Sequence, residues 1–102
     1  MENLVITFKY ENGNINQIMS KSDFDKLVNM WGLDELKSIL LDDEKNCLQV
    51  GTNPEQVSID IYENARLIPV QSTPGTLPHL LGEPYTYEVS GTRLDNFLVL
   101  SN

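Results

Sequence analysis

The chain has 102 residues, 40 % of them hydrophobic and 22 % charged, with 15 acidic side chains against 7 basic ones and a formal net charge of −8. That length and composition describe one folded domain, residues 1–102, able to build a core without disulfides or metals. The charge argues against direct binding to nucleic acid or to an anionic membrane surface, because both need clustered Lys and Arg. It suits solubility, or a basic partner approached by electrostatic steering.

Cys47 is the only cysteine, which excludes an intramolecular disulfide and a zinc site built on cysteines. The N-terminal MENLVITFKY lacks a basic region followed by a long apolar run, and no stretch approaches the ~20 apolar residues of a membrane span. A cytoplasmic protein without cofactor is expected, its oligomeric state open.

Leu4, Ile6, Phe8 and Tyr10 alternate with Val5, Thr7 and Lys9, the period of a half-buried strand. Asn12-Gly13 predicts a tight type I′ hairpin, with Ile15 to Met19 returning as the second strand. Ser22 and Asp25 form a capping-box pattern before Phe24, Leu27, Val28 and Trp31, an i, i+3, i+4, i+7 stripe that Gly32 ends. The spacing predicts a helix over 22–31 with that stripe buried, Trp31 included.

From Leu33 onward two readings compete. Leu33, Leu36, Ile39 and Leu40 fit a second short helix opening on Asp34; the favoured reading is a helical turn at 33–37 and a hairpin, 38–42 returning as 47–50 through Asp43-Glu44-Lys45-Asn46. Val57, Ile59 and Ile61 alternate as a strand, Glu63-Asn64-Ala65 reads as a turn, and Pro69 marks 66–70 as an edge. Residues 71–84, QSTPGTLPHLLGEP, carry three prolines and two glycines and form a long irregular loop. Tyr85, Tyr87 and Val89 alternate in a strand, a turn falls near Gly91, and Phe97 to Leu100 reads as a central strand. The fold class that follows is α+β: a mostly antiparallel sheet of five to seven strands with one main helix, about 22–31, on one face.

No stretch carries a strong catalytic signature. His79, the only histidine, stands in the long loop among Leu77, Leu80 and Leu81 without a motif beside it, and reads as a loop residue. Cys47 has no cationic neighbour to activate it and reads as a small buried apolar residue. Asp42-Asp43-Glu44 lacks the alternate spacing and glycine of a calcium loop, so no metal is assigned to it. Gly75 and Gly82 lie among prolines with no Lys-Ser or Lys-Thr after them, unlike a phosphate loop.

What remains is the distribution of charge. All five lysines lie at or before position 45, and only Arg66 and Arg93 follow. Asp34, Glu35, Asp42, Asp43, Glu44, Asp60, Glu63 and Glu88 are the candidate binding residues, with Asp60 and Glu88 expected to share one carboxylate-bearing sheet face. Such rows of carboxylates on a rigid frame imitate a phosphate backbone; the bland alternative is a solvated face.

The chain resembles in kind the small acidic inhibitors carried by bacteriophages and mobile elements: anti-CRISPR proteins, anti-restriction DNA mimics and inhibitors of uracil-DNA glycosylase. The order in YENGNINQIMSKSDFDKL, a hairpin running into an Asp-Phe helix start, is similar to one group of the glycosylase inhibitors. No functional residue carries over. The resemblance implies a non-enzymatic inhibitor that binds a basic, nucleic-acid-handling protein. A second reading is a structural, assembly or toxin-neutralising protein that uses the 71–84 loop, with Leu77, His79 and Leu80 as contact residues. A hydrolase built on His79 and a nearby carboxylate has the least support.

Overall fold

The computed structural model describes residues 2–102 as an α+β domain. In chain order come β1 (Glu2–Tyr10), β2 (Gly13–Ser20), α1 (Lys21–Trp31), α2 (Leu33–Leu40), α3 (Asp43–Asn46), β3 (Gln56–Gln71), α4 (Leu77–Leu80) and β4 (Tyr85–Ser101). The strands form one antiparallel sheet in the order β2-β1-β3-β4.

The alternation seen in β1 sets up the core. Phe8 lies opposite Val57 and Ile6 opposite Ile59, and Val57 in turn lies opposite Leu100, so these side chains share one face. Phe24 of α1, Leu36 and Leu40 of α2, and Leu77 close over them. Each fully buried side chain of this size contributes roughly 1.5–3 kcal/mol of transfer free energy.

Four strands, not five to seven, make the sheet, because two breaks expected as turns lie inside continuous strands. β3 and β4 stay paired on both sides of 63–66, where the register shifts at a bulge. Asn64 has φ 54° there, and Gly91 on the facing strand has φ 119°. A Cβ on Gly91 would stand 2.8 Å from the Asn64 carbonyl oxygen and 2.9 Å from that of Glu63, so only glycine admits this close approach. Beyond the bulge the β3–β4 ribbon leans over the second sheet face. The Asn16 amide donates to the Tyr87 carbonyl at 3.2 Å, and Val5 is buried on that side. Pro69 sits where β3 has only β4 for a neighbour, the single-sided position in which a strand proline is tolerated.

The second correction concerns 33–50. Residues 33–40 are helical and 43–46 form one further turn, so the expected hairpin is absent. The i, i+3, i+7 apolar spacing there places Leu36 and Leu40 in the core, and the side chains of Asp42 and Asp43 take up the backbone N–H groups of Glu44, Val50 and Gly51. Cys47 is an exposed residue with φ 61°, not a buried strand residue.

Smaller differences follow. Ser20, not Ser22, caps α1, its Oγ accepting from the Asp23 N–H at 3.1 Å. Neither Glu11 nor Asn12 of the β1–β2 turn has positive φ, so the turn is not type I′. Trp31 is 51 % exposed, so burial along the stripe declines from Phe24 through Leu27 and Val28 to the last turn of α1. The 97–100 segment lies on an edge strand rather than a central one.

Candidate functional site

The acidic candidates divide by the elements that hold them. Asp34 and Glu35 lie in the first turn of α2, where carboxylates offset the positive end of the helix dipole. Asp42 caps α3: its Oδ1 accepts from Glu44 N–H at 3.0 Å and Lys45 N–H at 3.4 Å. Asp43 fastens the following loop, with Oδ1 accepting from Val50 N–H at 3.1 Å and Oδ2 from Gly51 N–H at 2.9 Å. Its own N–H donates to Asn53 Oδ1 at 2.9 Å. These bonds shape an open concavity of about 610 Å³ whose walls include Asp42, Asp43, Glu44, Gln49 and Asn53. Lys45 is turned to Ser38, its Nζ donating to Oγ at 3.0 Å. Among the described residues no ion pair holds Asp34, Glu35, Asp42, Asp43 or Glu44.

Tyr10 lies buried near this loop. Burial, and secondarily the negative charge of Asp43, push its hydroxyl up to about 12. That hydroxyl makes no hydrogen bond among the described residues. Three or more His, Cys, Asp or Glu side chains grouped as metal ligands are not found among the described residues.

Asp60, Glu63 and Glu88 are not brought to this segment. Asp60 lies opposite Val5, on the sheet face away from the core, and its side chain is only 17 % exposed. Its Oδ1 accepts from Arg93 Nη2 at 3.3 Å and from Asn96 Nδ2 at 2.9 Å. Glu63 stands at the bulge, and Glu88 lies beyond it on the ribbon, opposite Ile68. Arg93 compensates Asp60, and Glu88 lines a concavity with Val5 and Thr7 where the ribbon lies over that sheet face.

The 71–84 loop is tied down. Its N–H at Leu77 donates to the Asn12 carbonyl at 2.7 Å, and the Leu77 side chain enters the core beside Gly13. Leu77 is thus an anchor and not a contact residue. Leu80 stays exposed, as does His79, whose Nδ1 is 3.3 Å from Ser72 Oγ. The Ser72 hydroxyl also donates to the Glu83 carbonyl at 2.9 Å. The N–H groups of Ser72, Gly82 and Glu83 are spent on the carbonyls of Pro84, His79 and Pro78, which removes them as oxyanion donors. This cluster joins the two ends of the loop.

Sequence reasoning missed the groove beside the loop. Ile15, Pro78, Leu81, Glu83, Tyr85 and Tyr87 line a cavity of about 230 Å³ between β2 and the ribbon. The signal was present in the alternation that set Tyr85 and Tyr87 on one face; the approach of β2 was not. No described helix is long and apolar enough to cross a membrane. No protein-family model, characterised protein or solved structure matches the chain.

Proposed function

We propose that the protein is a non-enzymatic binding protein that presents its 34–44 segment to a basic protein surface, of the kind carried by nucleic-acid-handling enzymes. The observation that carries this reading is the set of five carboxylates on α2, α3 and their junction that no cation of the described residues neutralises. The side-chain bonds of Asp42 and Asp43 hold that segment in one shape, which lowers the ordering cost of recognition. A net charge of −8 favours fast approach to a cationic partner. An inhibitor of the anti-CRISPR or DNA-mimic type, carried by a phage or mobile element, fits this chemistry. With Asp60 compensated by Arg93, the recognition rests on the local 34–44 patch rather than on an extended imitation of a phosphate backbone.

Affinity capture from bacterial lysate at low and high salt tests the reading. A basic nucleic-acid-binding protein should be enriched at low salt and lost at roughly 0.5 M salt, where screening is strong. The triple variant Asp34→Lys, Glu35→Lys, Glu44→Lys should lose it at low salt as well. Capture unchanged by that variant would sink the proposal.

The apolar groove supports a second reading, a structural, assembly or toxin-neutralising protein that docks through Leu80, Leu81, Tyr85 and Tyr87. Such a complex should survive high salt and be lost with Leu81→Asp.

A further inference from the structure

We infer that the cavity between β2 and the β3–β4 ribbon binds a small methylated ammonium cation, of which choline is the simplest probe. Tyr85 and Tyr87 stand in its wall as alternate residues of β4. They are 51 and 49 % exposed and take no part in the core, so both rings are open to a ligand. Ile15, Pro78 and Leu81 add apolar surface, and Glu83 is the charged residue of the wall. Among the described residues no Lys, Arg or His contributes to it.

That composition decides which ligand fits. The face of an aromatic ring carries negative potential and attracts a cation, most strongly where water is displaced. Glu83 meets no cation among the described residues. The whole body, at −8, draws cations toward its surface and repels anions. An unmethylated ammonium brings three N–H donors that need acceptors, and aliphatic side chains and proline supply none. Methylation removes those donors and leaves a charge with an apolar surface, which matches rings set beside aliphatic groups. The volume of about 230 Å³ lies below the roughly 300–1,000 Å³ of sites for drug-sized molecules, so it suits a head group of few atoms.

Hydrogen bonds on both sides hold the wall in shape. Asn16 ties β2 to the ribbon: its Oδ1 accepts from Thr7 Oγ1 at 2.9 Å and its Nδ2 donates to the Tyr87 carbonyl at 3.2 Å. Across the cavity the Glu83 N–H donates to the Pro78 carbonyl at 2.9 Å, and Pro78 follows Leu77, which is fixed in the core. A wall shaped beforehand loses little freedom when a ligand enters. None of its residues belongs to the 34–44 segment, so this site does not depend on what that segment recognises.

The test is a titration of the isotope-labelled full chain with choline chloride, read as amide chemical shifts against sodium chloride at matched ionic strength. Saturating shifts centred on Ile15, Leu81, Tyr85 and Tyr87 are expected, with a Kd in the millimolar range because the ligand has few atoms. The uncharged carbon analogue of choline, in which a tert-butyl group replaces the trimethylammonium, should bind at least about fivefold more weakly, the effect of one desolvated cation–ring contact. Tyr87→Leu should weaken choline by a similar factor and Glu83→Gln by about twofold, with the rest of the spectrum in place. Shifts that do not saturate, or that centre on the 34–44 segment, overturn the inference. Equal binding of the uncharged analogue overturns it as well, and so does tighter binding of ammonium or guanidinium than of choline. If Tyr87→Leu fails to fold, choline against its uncharged analogue on the unaltered chain decides.

Discussion

β3 and β4 run through two regions of unlike character, one on each side of the bulge at Glu63 and Gly91. Before it, Val57 and Ile59 have β1 and β4 as neighbours and the helices above them, and both are fully buried. After it, the same strands pair only with each other and touch β2 along one side, and Leu67, Ile68, Val70, Tyr85 and Tyr87 remain exposed. A strand closes its apolar surface only when both its flanks and one of its faces are covered. The base of the sheet meets that condition within one chain, whereas the ribbon and the β4 edge leave surface for contacts.

Substitutions on the two sides should therefore differ in size. Phe8→Ala, at the centre of the covered face and 1 % exposed, should cost about 3–5 kcal/mol by chemical denaturation. A smaller loss than that of a ribbon substitution would break the comparison. Gly91→Ala should cost roughly 1–3 kcal/mol, since a methyl group there meets two carbonyl oxygens at a positive φ. Amide exchange should then rise along 85–90 before it rises in β1; a uniform rise would show that the ribbon is not a separate unit.

The smallest effect lies at the border of the acidic loop. Tyr10→Phe removes a buried hydroxyl that has no hydrogen-bond partner among the described residues and should change stability at neutral pH by no more than about 1 kcal/mol. The hydroxyl is pushed up to about 12 in the folded chain from an ordinary 10.0. The folded state thus keeps the proton that the unfolded chain releases. The associated stability is complete below pH 10 and is lost as pH rises toward 12. Tyr10→Phe should flatten that alkaline loss, and denaturation midpoints measured across this window would show whether it does.

Much of the covered region was legible in the residues. The β1 alternation, the α1 stripe as far as Val28 and the Val57-Ile59 strand each carry a period that shows which side chains face inward, whereas Trp31 at the end of the stripe does not. The ribbon was misread for a definite reason: Asn64 and Gly91 are the residues that turns use, and a bulge uses them too. Only the pairing of β3 with β4 tells the two apart. Likewise Asp42 to Asn46 fits a hairpin turn or a capped helical turn, and the choice rests on Val50 and Gly51 returning to the Asp43 carboxylate. The acidic candidates were found by counting. Their division between the 34–44 segment and the region around the bulge was not, because a net charge contains no positions in space.

By itself the sequence determined the main periods and the charge: where chain segments bury one side, that Gly32 ends the first helix, and that the molecule is strongly anionic. The tertiary structure decided which strand became an edge, which carboxylates were compensated and which apolar side chains stayed uncovered. Those outcomes depend on neighbours far apart in the chain, and local propensity does not encode which of several possible neighbours arrives.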